Sequence, residues 1–149
     1  MNSIEIKVKV LNEDAQMPTR GSDYAAGWDL YAITPDKDVV TIPPHSTVKI
    51  GTGLSFELPE NTFGAIFPRS GLATKNGLRP ANCVGVCDED YRGEYIVAVH
   101  NDTDIKQFIA HGDRIAQLVV LPYIPVTFTT TDELTETTRG NGGFGSTGV

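Results

Sequence analysis

Long apolar runs are missing from this chain of 149 residues. None approaches the roughly 18 apolar residues that a membrane-spanning helix needs, so no membrane partner is expected. The opening MNSIEIKVKV lacks the basic start and unbroken apolar stretch of a signal peptide. A cytoplasmic protein is expected, in the host-cell cytoplasm or nucleus if the source is viral or eukaryotic. Positive charge is scarce as well: 12 Lys and Arg against 19 Asp and Glu give a net charge of −7. Such a surface repels a nucleic-acid backbone, which argues against a long polyanionic partner. A small anion is still admissible where arginine, backbone amides and a metal ion form a local nest. Cysteine is limited to Cys83 and Cys87. CxxxC is not a standard zinc spacing, and His45, His100 and His111 are scattered. On a strand both thiols point to one face, and buried apolar packing is their expected role.

Helical periodicity is nearly absent. Only Ser70–Lys75 and Asp132–Glu136 have room for a turn or two of helix, with Ser70 as the expected N-cap of the first. Period-2 alternation is present instead. Ile4, Ile6, Val8 and Val10 alternate with Glu5, Lys7 and Lys9 across residues 4–11. Further strands are predicted at Val39–Ile42, Thr47–Ile50, Leu54–Leu58, Phe63–Phe67, Val84–Cys87, Glu94–Val99, Ile115–Leu121 and Val126–Thr129. Pro, Gly, Asn and Asp punctuate them, as in IPPHS, LPEN, HND and AHGD. Short strands at close spacing predict one all-β domain, a barrel or a sandwich.

Five stretches can carry chemistry. In AGWDLYA (Ala26–Ala32) Asp29 lies between Trp28 and Leu30 on a short strand; alone it reads as an exposed strand aspartate. In PRSGLATKNG (Pro68–Gly77) a strand runs through Pro68 into a helical turn. Free N–H groups there, the Arg69 fork and the Ser70 hydroxyl suit a phosphate. NCVGVCDEDYRGEYIV (Asn82–Val97) looks like a hairpin with three acids at its tip. Some are ordinary turn residues, but Asp88 directly follows an apolar strand and is the acid best placed to be held at a cleft. In GDRIAQLVV (Gly112–Val120) Gln117 sits in an apolar strand and needs a partner if buried. The tail RGNGGFGSTG (Arg139–Gly148) cannot hold itself folded. Glycine backbone wraps closely around a ligand, and one cation and one ring would offset the ordering cost of about 1–2 kcal/mol per residue.

Taken in order, AGWDLYA, PRSGLA, GVCDEDYRGE, GDRIAQL and RGNGGFGSTG closely resemble the five motifs of the trimeric dUTP pyrophosphatases (dUTPases), over about residues 20 to 149. The resemblance implies a small jelly-roll-type β-barrel, the dUTPase-like β-clip, assembled as a homotrimer with a flexible C-terminal arm. It implies a barrel core over residues 1–138 and a glycine-rich arm over 139–149. The implied reaction is hydrolysis of dUTP to dUMP and pyrophosphate, which keeps uracil out of DNA and supplies dUMP for thymidylate synthesis. Sites shared between subunits and Mg²⁺ as cofactor follow from the same likeness. So do residue roles. Asp88 matches the carboxylate that activates the attacking water, and Arg69 the arginine that pairs with it. Ser70 and Gly71 match the phosphate-contacting turn, and Gln117 the side chain on the α-phosphate. Asn82 through Cys87, with Gly85 and Val86 among them, match the hairpin that reads uracil, and Tyr91 the ring under the deoxyribose. Asp29 matches the acid that reaches Mg²⁺ through water. Arg139, Phe144, Gly145, Ser146 and Thr147 match the arm that closes over the nucleotide.

Two residues depart from the family pattern: Trp28, where a smaller residue is expected, and Cys87, where an aliphatic one precedes the aspartate. Competing readings are a dCTP deaminase-like enzyme of the same fold and a nucleotide-sensing or partner-binding protein on that fold. The Asp88 hairpin together with the glycine-rich arm argues against the deaminase.

Overall fold

The computed structural model describes residues 4–143. Among them the chain forms β1 (Lys7–Val10), β2 (Trp28–Tyr31), β3 (Val40–Ile42), β4 (Thr47–Gly51), β5 (Leu54–Glu57), β6 (Thr62–Phe67), α1 (Ser70–Asn76), β7 (Leu78–Pro80), β8 (Gly85–Cys87), β9 (Ile96–Asn101), β10 (Gln107–Ile109) and β11 (Arg114–Pro122). Every pairing between these strands is antiparallel. Four strands run in the order β2-β11-β6-β8, three in the order β4-β9-β7, and β1-β5 and β10-β3 form two-stranded ribbons. The result is the all-β, small jelly-roll-type barrel that the motifs implied. Among the described residues no helix is long and apolar enough to cross a membrane.

The core collects alternate residues of several sheets: Leu30, Ile42, Ile50, Leu54, Val97, Val99, Ile109, Ile115 and Leu118 are all nearly or fully buried. Burying one such side chain contributes about 1.5–3 kcal/mol, so this inner layer is what fixes strand register. β11 is the longest strand and pairs on both edges, with β2 and with β6. It therefore sets the relative position of everything carried on those two neighbours.

The predicted strands at 47–50, 54–58, 63–67 and 115–121 coincide with β4, β5, β6 and β11 to within one or two residues. Two three-residue strands, β7 and β10, escape a pattern search because they are too short to show alternation. Val126–Thr129 forms no strand, and Asp132–Glu136 forms no helix. Ile124, Val126 and Phe128 are 83%, 65% and 94% exposed, and no edge among the described residues takes them. A strand without a partner leaves its ladder groups to solvent and has no reason to stay extended in register. Among the described residues regular structure ends at Pro122; the expected boundary at 138 falls inside an exposed segment without helix or strand.

The two cysteines correct the expectation of buried packing. Cys83 is exposed, in the bend before β8, and Cys87 is half-buried; both are free. The bend breaks the alternation that would have put both thiols on one face.

Candidate functional site

The hairpin after β7 builds a cavity of about 230 Å³. Its lining includes Asn82, Gly85, Val86, Asp88 and Tyr91, with Ile66 of β6 and Ile96 and Val97 of β9 as apolar surface. β8 pairs with β6, Gly85 opposite Ile66 and Cys87 opposite Gly64, which fixes one wall. The chain turns directly after Cys87, and Tyr91 N–H donates to the Asp88 carbonyl at 3.1 Å. That turn leaves the Asp88 carboxylate exposed at the rim of the cavity. Arg92 closes the turn by donating to the Glu89 carbonyl at 2.6 Å, and the Ser55 hydroxyl donates to the Arg92 carbonyl at 2.7 Å. The Tyr91 hydroxyl donates to the Glu94 carbonyl at 3.1 Å, which ties its ring to the turn. Gly93 is needed for this: a Cβ there would collide with the Tyr91 ring and hydroxyl.

Behind the wall, Tyr95 is buried and packs on Phe56 with ring centroids 4.5 Å apart. Its hydroxyl has no hydrogen-bond partner among the described residues. Burial drives its pKa far above the usual tyrosine value, and burial likewise pushes the Cys87 thiol up, so both stay protonated and inert near neutrality.

A second cluster forms on the other side of β6. Register places Gln117 of β11 opposite Asp29 on one edge and Phe67 on the other. Pro68 and Arg69 follow Phe67 directly. Arg69 Nε donates to Asp29 Oδ1 at 2.7 Å, and Arg114 donates to Asp29 Oδ2 at 3.2 Å. Gln117 Nε2 donates to the Pro68 carbonyl at 2.9 Å, the partner that a glutamine in this strand requires. The Gln117 amide lies so close to Gly27 that a Cβ there would collide with its Oε1. Ser70 and Gly71 open α1 immediately after Arg69. Arg69 itself is the N-cap residue, without a side-chain cap bond, so Ser70 is the first helical residue rather than the cap.

Asp29 therefore corrects its reading as an exposed strand residue: it is 8% exposed. The cause is two guanidiniums brought in from the N-cap of α1 and from β11, which alternation along β2 cannot reveal. Arg114 was not singled out from the sequence; only its place two residues after a turn glycine hinted at it. Asp29 is the hub of this cluster, and Asp29→Asn is expected to destabilise the fold by about 2 kcal/mol. That is below the roughly 3–5 kcal/mol for breaking a fully buried pair, since Arg114 is half exposed. Thermal denaturation measures it, and an unchanged melting temperature would show that the pairs contribute nothing.

The structure thus gathers Asn82, Gly85, Val86, Asp88 and Tyr91 at one cavity and Asp29, Arg69, Ser70, Gly71 and Gln117 in another cluster. Among the described residues no hydrogen bond or ion pair joins Arg69 to Asp88; within one chain Arg69 is held by Asp29. Arg139 is exposed and donates to the Gly142 carbonyl at 2.8 Å. Phe144, Gly145, Ser146 and Thr147 lie outside the described residues. The Trp28 departure has a local partner, the Arg20 guanidinium 4.9 Å from the ring centroid.

No group of three or more His, Cys, Asp or Glu that could hold a metal ion stands among the described residues. Both Asp29 oxygens already accept from guanidiniums. A carboxylate has about four lone-pair sites in all, so Asp29 can still accept from a water molecule, but direct ligation is poorly served.

Comparison with known proteins follows the same lines. The family model described as dUTPase matches residues 13–148. A deoxyuridine 5'-triphosphate nucleotidohydrolase of Desulfitobacterium hafniense is 49% identical, covering 100% of this chain and 99% of that protein. The same enzyme of Paramecium bursaria Chlorella virus 1 is 44% identical, covering 95% of this chain and 96% of that protein. Among solved structures, the dUTPase of Staphylococcus bacteriophage 80alpha with dUPNHPP has a TM-score of 0.88 at 27% identity, covering 99% of this chain and 100% of that one. A mutant dUTPase of phage phi11, described with a structural Mg(II) ion, shares the fold with a TM-score of 0.78 at 23% identity, covering 89% of this chain and 100% of that one.

Proposed function

The chain belongs to the dUTPase family, and from that premise we propose that it hydrolyses dUTP to dUMP and pyrophosphate at the Asp88 hairpin. The observation that carries the reading is an acid on the rim of a small cavity walled by strand backbone. A flat pyrimidine needs that kind of wall. N–H and C=O groups along residues 82–87 can face the edge of uracil. Cytosine presents a donor where uracil presents an acceptor, and it would leave buried groups unpaired, which is costly enough for large discrimination. In this reading the Tyr91 ring would crowd a ribose 2'-hydroxyl, and the hairpin would exclude the thymine methyl.

In this reading Asp88 accepts a proton from the water that attacks phosphorus, within hydrogen-bond reach of it. Arg69, the N–H groups of Ser70 and Gly71, and Gln117 hold the phosphate chain. Phosphoryl transfer asks mainly for such positioning and charge neutralisation. Mg²⁺ is proposed to be carried on the triphosphate, where it would supply further neutralisation. Asp29 fits beside it only through water, as its arginine contacts dictate. Arg139 and the residues after it are proposed to cover the bound nucleotide.

Within one chain the register sets Asp88 beside the start of β6, just after Cys87 opposite Gly64, and Arg69 beyond its end at Phe67, which supports a shared site. We take Asp88 from one copy and Arg69 from another in a closed homotrimer, with the arm reaching over the junction. A heterologous interface that closes on itself produces a ring with equivalent junctions. The reaction is assigned to the cytoplasm, where nucleotides of this kind are made and consumed.

Pyrophosphate release, measured with Mg²⁺ from dUTP, dCTP, dTTP and UTP in parallel, tests the reading. Cleavage of dUTP is expected to exceed that of dCTP by about 10⁴-fold in kcat/KM, as for sites that leave polar groups unpaired by the wrong substrate, and to exceed that of dTTP and UTP as well, which this reading excludes by steric crowding. Ammonia released from dCTP, or equal cleavage of UTP, would overturn it.

A further inference from the structure

We propose that Arg79 is a positioning residue for the base-reading hairpin, clamping its first turn to a rigid loop on the neighbouring strand. The inference rests on the reading of that hairpin as the uracil pocket.

Arg79 is the middle residue of β7, opposite His100 of β9. Its guanidinium has two jobs at once. On one side Nε and Nη2 donate to the two oxygens of Asp102, at 2.6 and 2.9 Å, a bidentate pair. On the other side Nη1 donates to the Pro80 carbonyl at 3.2 Å and lies 3.9 Å from Cys83 Sγ. Cys83 Sγ donates to that same Pro80 carbonyl at 2.6 Å. Pro80 and Cys83 bracket the point where the chain leaves β7 and begins the wall that carries Asn82, Gly85 and Val86.

Asp102 is itself immobilised. Its N–H donates to the Gly77 carbonyl at 2.8 Å, at the end of α1. The preceding residue, Asn101, is fully buried, and its amide donates to the carbonyls of Ile42, Pro43 and Ile105. Its Oδ1 accepts from the Thr103 N–H and hydroxyl. The loop after β9 is thus tied to β3, to α1 and to itself. A fork anchored in such a loop transmits that rigidity to whatever its third arm holds. Arg79 holds the carbonyl that sets the direction of the hairpin.

A planar fork is required here, because one ammonium cannot make two parallel bonds to Asp102 and a third to Pro80. Arg79 and Asp102 are 37% and 42% exposed, so the pair adds little to global stability. Its effect falls on the local geometry of the pocket, which is where substrate is bound.

Four full-length variants test this: Arg79→Ala, Arg79→Lys, Asp102→Asn and the double Arg79→Ala/Asp102→Asn, each assayed for KM and kcat on dUTP and for melting temperature. Arg79→Ala is expected to raise KM about five- to tenfold with kcat within about twofold, the scale of one charge-assisted link. Arg79→Lys is expected to recover part of that, and Asp102→Asn to raise KM about threefold. The double variant should be no worse than Arg79→Ala, because both changes cut one link. A KM unchanged in Arg79→Ala, a proportional fall in kcat, or additive effects in the double variant would overturn the proposal. A fifth variant, Val86→Trp, separates the two levels by filling the cavity. If it blocks dUTP binding while Arg79→Ala does nothing, the clamp fails and the pocket reading stands. If it leaves KM unchanged, the pocket reading fails and takes the clamp with it.

Discussion

Asp88→Asn is expected to lower kcat on dUTP about 10²–10⁴-fold, the range for loss of a positioned general base, while nucleotide affinity stays within about threefold. Asparagine keeps the shape of aspartate, and the turn that places residue 88 is made by backbone: the Tyr91 N–H reaches the residue-88 carbonyl whatever the side chain. Geometry at the rim of the cavity therefore survives the change. What disappears is the ability to take a proton from water. A carboxamide is neutral and offers only a weakly basic oxygen to the proton. Single-turnover kinetics with a separate measurement of nucleotide binding distinguishes the two effects. Turnover within about threefold of the parent would remove Asp88 from the base role. A loss of binding equal to the loss of rate would instead make it a binding residue, since only interactions gained in the transition state change kcat alone.

The two clusters were legible in the sequence to different degrees, for physical reasons. Gln117 is a polar side chain in an otherwise apolar strand, and such a residue announces a partner; the Pro68 carbonyl supplies it. Asp88 is marked by position, directly after a short strand and before turn residues, and it stands among the residues lining the cavity. Asp29 is different. Alternation along a single strand says which way a side chain points but nothing about what waits there. Its two guanidiniums come from 40 and 85 residues further along the chain. Arg79 is silent in the sequence for the same reason, because its partner Asp102 reaches it only through the β7–β9 pairing. The exposed apolar stretch Val126–Thr129 misled in the opposite direction. Its composition is that of a strand, but strand formation is a property of a pair, and no described segment of this chain pairs with it.

Ending the chain after Thr138 is expected to leave a folded barrel and to remove most activity. Every described strand and the α-helix lie before residue 123, and Arg139 makes its described side-chain bond inside its own segment, to Gly142. The truncation therefore takes no described residue of the core, and the melting temperature is expected to hold. Activity should fall because the cation and the ring proposed to cover the nucleotide go with it, and closing segments of this kind complete a site on binding. An unfolded product would make the segment structural, and full activity would make it dispensable. The truncated chain then serves a second purpose. Mixed in equal amounts with the Asp88→Asn chain and refolded, it tests whether hairpin and arm come from different subunits. Each parent lacks one part, so a site that takes both from one chain can never be restored. In a closed three-fold ring with hairpin and arm from different copies, each part is intact in about half of random assemblies. Roughly a quarter of the sites should then work, and activity should return to about that fraction of the parent's. Mixed trimers confirmed by native mass spectrometry but without recovered activity would refute the shared site, and the arm would have to fold back over the hairpin of its own chain.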